Sequence, residues 1–157
     1  MKNLIEDIIG TATFSEGVGW KRHYFDNNET IIQEGEIGKS LFFIEQGQLR
    51  VTVQVALENQ RHMQTGLCDL GSGDIFGESC LYQSQQRYAS VVAIGNGSLL
   101  EIDGERLSIH LDAHPVQGYL FYKKLFEILT DRLNHANHRV EYLLAWGLKA
   151  HYISKHL

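Results

Sequence analysis

Phe76-Gly77-Glu78-Ser79-Cys80-Leu81-Tyr82-Gln83-Ser84-Gln85-Gln86-Arg87-Tyr88-Ala89-Ser90 is the stretch on which the reading of this chain turns. A Gly-Glu turn leads across a short neutral segment to one arginine and then into a strand-like run. A buried phosphodiester loses its water, so its fixed negative charge needs a permanently protonated, forked donor and exposed backbone N–H groups in compensation. Arg87 supplies the fork. Residues 79–83, small at Ser79 and Cys80, read as one short helical turn whose unpaired N–H groups and positive end face the anion. Glu78, at the mouth of that turn, is placed to accept a hydrogen bond from a ribose hydroxyl. Gly77 has a reason beyond the turn itself, because a side chain there would crowd an incoming ligand. Taken alone, a Gly-Glu pair and an arginine also fit a polar surface loop, and the flanking sequence decides between the two readings.

Outward from this stretch the chain has two periods. Between Ile31 and Ile102 the pattern is strand-like: Leu49, Val51, Val53 and Val55 alternate with polar residues, and Gly35, Gly38, Gly47, Gly66, Gly71, Gly73, Gly77, Gly95 and Gly97 punctuate short runs. Short strands separated by glycine turns imply a sandwich or barrel. Turns that need positive φ account for nearly all of these glycines. Past Gly104 the period becomes helical. Residues 105–113 read as one short helix ending near Pro115, which can begin the next. Tyr122, Leu125, Leu129, Leu133, Ala136, Val140 and Leu143 then follow at steps of three or four, forming an apolar stripe.

The run from Phe25 to Val51, with Glu34-Gly35-Glu36-Ile37-Gly38-Lys39-Ser40-Leu41-Phe42-Phe43-Ile44 at its centre, resembles the opening strands of the cyclic nucleotide-binding domain family. Gly71-Ser72-Gly73-Asp74-Ile75-Phe76-Gly77-Glu78 and Arg87-Tyr88-Ala89-Ser90 resemble that family's phosphate-binding cassette, with the Glu-to-Arg spacing of protein kinase A regulatory subunits. The resemblance covers roughly residues 22–145. It implies a mainly β fold with C-terminal α structure, a double-stranded β-helix (jelly roll) with flanking helices. Residues 1–20 are expected to form an N-terminal helical arm, 21–103 the jelly roll with the cassette at 71–90, and 104–157 the C-terminal helices for lid or dimer contacts. By the same resemblance Glu78 binds the ribose 2′-hydroxyl, Arg87 the cyclic phosphate, and the backbone around Ser79 and Cys80 the remaining phosphate oxygens. Phe76, Gly77 and Ala89 complete the expected lining.

The long helix is where base recognition is expected, because the cassette holds only the sugar phosphate. Rough alignment places Asn134 and Asn137 near the base, and amide side chains can pair with an adenine edge. Tyr142 and Trp146 are alternative stacking lids. Tyr88 departs from the family, which commonly has Ala, Ser or Thr there. A small hydroxyl at that place favours the guanine form, so its absence leans toward cyclic AMP over cyclic GMP. Residues 136–146 are expected to pair with a twofold mate, because a protruding helix cannot leave such a face in water. This resembles the dimer helix of the catabolite activator proteins. Transcription factors of that type carry a helix-turn-helix domain after the long helix, and the roughly 10 residues after Gly147 are expected to be too few to supply one. The expected output therefore passes through an unidentified protein effector or through assembly.

Composition sets the outer bounds. The chain has 157 residues, 43% hydrophobic and 21% charged, enough for one core. No apolar run approaches the roughly 20 residues of a membrane span. The N-terminus carries acids within its apolar stretch, so no secretory signal is expected and the compartment is read as cytoplasmic. Cys68 and Cys80 suit a reducing compartment as unpaired residues. A net charge of −5 argues against direct nucleic-acid binding. Among eight histidines, His110/His114 and His135/His138 share helix faces, but neither pair has a Cys or carboxylate at ligand spacing, so no metal and no cofactor is expected. A cupin-like metal enzyme would need two His and a Glu together on the strands, where only His23 and His62 occur. With no nucleophile and base recognisable, catalysis is not expected. A ligand-free scaffold of the same fold is the remaining alternative. A Ser-Glu-Gly-Val-Gly break after Phe14 suggests that the chain folds without the residues before Trp20.

Overall fold

In the computed structural model, which describes residues 1–57, 61–82 and 85–154, the chain divides into two compact units, Met1–Gly118 and Tyr119–Leu157. The first holds helix α1 (Lys2–Ile9) and eight strands. These are β1 (Trp20–Phe25), β2 (Thr30–Ile32), β3 (Ile37–Gly38), β4 (Ser40–Leu57), β5 (Arg61–Gly71), β6 (Ile75–Phe76), β7 (Gln85–Gln86) and β8 (Ser90–Asp103). A 3-10 turn (Glu78–Leu81) stands between β6 and β7, and α2 (Gly104–Ala113) follows β8. All strand pairings are antiparallel. A six-stranded sheet runs β1-β8-β4-β5, with β2 on β8 and β6 on β4, while β3 and β7 form a two-stranded sheet. This is the mainly β jelly roll with helices that the resemblance implies.

Two long strands organise the unit. β8 pairs with β1, β2 and β4 in turn, and β4 pairs with β8, β5 and β6. Both must bend to do so. The β4–β8 register shifts on either side of Gln46, beside Gly47 at φ +98°, and Gly95 on the facing strand has φ +79°. Glycine is required there because it alone takes this left-handed backbone cheaply, and register shifts of this kind are how a strand turns a corner between sheets. Phe25, Ile32, Phe42, Ile44, Leu49, Leu70, Phe76, Val91, Ala93 and Leu99 form the core so enclosed.

The N-terminal arm corrects one expectation. Ile5, Ile8 and Phe14 are fully or almost fully buried, the Trp20 Nε1–H donates to the Phe14 carbonyl at 3.0 Å, and the Phe14 ring lies 5.3 Å from that of His110. Burying each such side chain is worth about 2 kcal/mol. The segment before Trp20 thus contributes Ile5, Ile8 and Phe14 to the core, and its Gly-rich break only redirects the chain. α2 is capped by Asp103, whose carboxylate accepts from the Arg106 amide at 2.8 Å. His114 leaves helical geometry, and Pro115 restarts the helix as the first residue of α3 (Pro115–Ser154).

The second unit is the body of α3. Read on this helix, Tyr119, Tyr122, Phe126, Leu129, Leu133, Ala136, Val140 and Leu143 recur at alternating steps of three and four, the heptad spacing of a coiled-coil seam. Phe126, Leu133 and Leu143 are 72, 60 and 69% exposed. No helix among the described residues is long and apolar enough to cross a membrane.

Candidate functional site

The site is built where β6 ends. Phe42 and Phe76 are register partners across β4 and β6, and their rings stack at 4.9 Å with planes 12° apart. The next residue, Gly77, takes φ +76° and caps the 3-10 turn, to which it gives its carbonyl: the Cys80 amide donates to it at 3.3 Å. The turn is therefore tighter than an α-turn and starts at Glu78 rather than Ser79. Gln83, expected at its end, lies outside the described residues. The Cys80 amide is thus engaged by the turn itself.

The other wall comes from the far side of the cassette. β7 pairs with β3 in the register Ile37↔Gln86 and Gly38↔Gln85, and the ladder continues past it. The Arg87 amide donates to the Glu36 carbonyl at 2.7 Å, and the Gly35 amide donates to the Arg87 carbonyl at 2.8 Å. With its backbone held on both sides, Arg87 turns its side chain inward and is only 8% exposed. Its Nη2 donates to the Ser40 carbonyl at 2.6 Å and its Nη1 to the Gly77 carbonyl at 3.1 Å. The Phe42 ring centroid lies 5.9 Å from the guanidinium carbon, within reach of a cation–π contact. A buried cation is costly unless compensated, and these two acceptors are neutral carbonyls. The site thus presents a fixed, forked positive group beside the amides of a tight turn.

Glycine geometry explains the crowding at this place. A Cβ on Gly77 would meet the Ser40 carbonyl at 2.8 Å and Arg87 Nη1 at 2.9 Å, so the protein's own atoms already forbid a side chain that sequence reasoning had reserved against a ligand. Sequence reasoning missed Gly38. Its φ is not positive, yet a Cβ there would lie 1.8 Å from Arg87 Nε. Nothing local in the sequence signals this, because the two residues meet only through the β3–β7 pairing.

Phe76, Gly77, Glu78, Ser79, Cys80 and Arg87 are thus gathered around one turn, with Ala89 half-buried two residues past the arginine. Tyr88, between Arg87 and Ala89, is 76% exposed. Asn134 and Asn137 are exposed on α3, in the second unit. Cys80 packs its sulfur where α2 begins: a Cβ on Gly104 would lie 2.7 Å from Cys80 Sγ, and the Gly104 amide donates to the Lys39 carbonyl at 2.9 Å. Burial pushes the Cys80 thiol up to about 11, against the Arg87 charge, which pulls it down. Both cysteines are unpaired. Among the described residues no three His, Cys, Asp or Glu side chains are grouped to hold a metal ion.

Residues 22–114 match the family described as the cyclic nucleotide-binding domain. Among curated proteins, the cGMP-dependent protein kinase egl-4 of Caenorhabditis elegans is 36% identical over 84 residues, 52% of this chain and 10% of the kinase. The cAMP-dependent protein kinase type II regulatory subunit of Drosophila melanogaster is 38% identical over 71 residues, 45% of this chain and 18% of that subunit. The chain therefore spans between a tenth and a fifth of these relatives. The crystal structure of Thermus thermophilus Catabolite Activator Protein superposes with a TM-score of 0.66 at 21% identity, over 91% of this chain and 60% of that one, which is a likeness of fold.

Proposed function

The chain belongs to the cyclic nucleotide-binding domain family, and on that premise we propose that it is a sensor in which Arg87 receives the cyclic phosphate. The observation that carries this reading is the buried Arg87 guanidinium, held open by the carbonyls of Ser40 and Gly77 beside the Glu78–Leu81 turn. A cation positioned by neutral acceptors keeps its full charge for an incoming anion, and its fork suits two phosphate oxygens. In this reading Glu78 takes the ribose 2′-hydroxyl, the backbone around Ser79 and Cys80 meets the remaining phosphate oxygens, and Phe76, Gly77 and Ala89 shape the pocket. Tyr88, in place of a small hydroxyl, favours cyclic AMP over cyclic GMP, and Asn134 or Asn137 meets the purine.

The output is regulatory rather than catalytic. The exposed heptad face of α3 supports pairing with a second copy of the chain, since such a face in water carries a standing hydrophobic cost. Ligand binding shifts the population of α3 states, and that shift is passed to a cytoplasmic protein effector. Calorimetric titration with cyclic AMP and cyclic GMP tests the site. Saturable binding is expected, stronger for cyclic AMP and weakened about 100-fold or more in Arg87→Ala, the loss expected from removing two charge-assisted hydrogen bonds. Absence of binding to either nucleotide, or equal binding by Arg87→Ala, would refute the reading and leave a scaffold.

A further inference from the structure

We infer that Gly38 is the positioning residue of the anion site, its missing side chain forming the slot that seats the Arg87 guanidinium. The inference rests on the cyclic nucleotide reading above and adds how the fork is held. A Cβ at Gly38 would lie 1.8, 2.0 and 2.4 Å from Arg87 Nε, Cζ and Nη2, well inside van der Waals contact with most of the guanidinium. Gly77 bounds the same group at Nη1, Phe42 faces it at 5.9 Å, and the Ser40 and Gly77 carbonyls fix its two arms. The slot thus accepts a flat forked cation and has no room for anything bulkier than a hydrogen on β3.

The two glycines differ in what a side chain would displace. At Gly77 the nearest atom is the Ser40 backbone carbonyl, and φ is +76°, so a substitution strains the fold itself. At Gly38 the nearest atoms all belong to the far end of one flexible side chain. An added methyl group is relieved by swinging Arg87 out to water, where its charge is solvated. Gly38→Ala therefore leaves the fold intact and empties the anion site, which separates positioning from stability.

The test is a binding cycle with cyclic AMP on the full chain: wild type, Gly38→Ala, Arg87→Ala and the double variant, with Gly66→Ala on β5 as a control. A Cβ at Gly66 makes only ordinary contact with Arg50, and its φ is not positive. Gly38→Ala is expected to weaken binding about 10- to 100-fold while its thermal midpoint stays within about 2 °C of wild type. The double variant should bind like Arg87→Ala to within about threefold, because both substitutions remove one interaction. Wild-type affinity in Gly38→Ala, additive losses in the cycle, or a thermal midpoint lowered by much more than the control's would overturn the inference. A nitrogen-15 spectrum of the arginine Nε–H groups separates the slot from the ligand. A slowly exchanging Arg87 signal is expected in wild type and lost in Gly38→Ala. Its persistence in Gly38→Ala overturns the slot even if nucleotide binds, whereas its loss in a protein that binds neither nucleotide sustains the slot and refutes the nucleotide reading.

Discussion

The Arg87 slot and the exposed face of α3 are opposite solutions to burying a difficult surface. In the first unit a charge is buried by backbone carbonyls that the chain supplies from β4 and the Gly77 turn. In the second, apolar side chains at heptad spacing are exposed. A charge needs directional acceptors at about 3 Å, which only a rigid local frame provides. An apolar stripe needs only area, which any complementary helix can offer. In the proposed reading the first unit therefore fixes the anion through directional contacts, while base recognition and output fall to the helix.

The comparison is broken most severely by removing the frame of the first unit. Deleting residues 1–19 takes away Ile5, Ile8 and Phe14, about 2 kcal/mol each, a large part of the usual 5–15 kcal/mol of a small domain. The expected outcome in a denaturant titration is loss of a cooperative unfolding transition, and a truncated protein that unfolds as sharply as the full chain would return the arm to the status of an appendage. The seam of α3 gives the next largest effect. Leu133→Asp with Leu143→Asp should abolish self-association in analytical ultracentrifugation while the sheet unit melts at its wild-type temperature, since neither residue belongs to Met1–Gly118. Retained association would show that the face is covered by something else.

The smallest effect lies in the cassette and depends on pH. The folded state raises the Cys80 thiol from 9.0 to about 11, so the native protein holds that proton more tightly than the unfolded chain does. Stability from this group is complete below pH 9 and falls as the pH climbs toward 11. Cys80→Ala should flatten that part of the stability profile relative to wild type and change little at neutral pH. An identical alkaline slope in both proteins would show that the thiol is more solvated than its burial implies.

What could be read in the sequence follows from how local each cause is. Alternation along β4 and the glycine-punctuated runs are set by neighbours two residues apart, so a sandwich or barrel was legible, and the family resemblance narrowed it to a jelly roll. The Gly77, Glu78 and Arg87 spacing could be read as a candidate site because one short segment carries all three. Gly38 was not, since its neighbour is 49 positions away in the chain and the contact exists only after β3 meets β7. Counting it with turn glycines was wrong for a similar reason: positive φ is a local property, while close approach is a tertiary one. The arm was misjudged because a flexible-looking Ser-Glu-Gly-Val-Gly break says nothing about where Phe14, just before it, will pack. The tight 3-10 geometry that engages the Cys80 amide was likewise invisible, because helical and 3-10 turns differ by one hydrogen bond and share their residue preferences.

The packing of Cys80 against Gly104 has a practical corollary. Held protonated up to about pH 11 and tucked against the start of α2, this sulfur is a poor nucleophile under ordinary conditions. Cys68, paired opposite Val51 on β5, is exposed. The unmodified chain therefore carries a built-in attachment point for a fluorophore or spin label on the sheet, outside the anion site, so that conformational change can be followed without engineering a cysteine or deleting one.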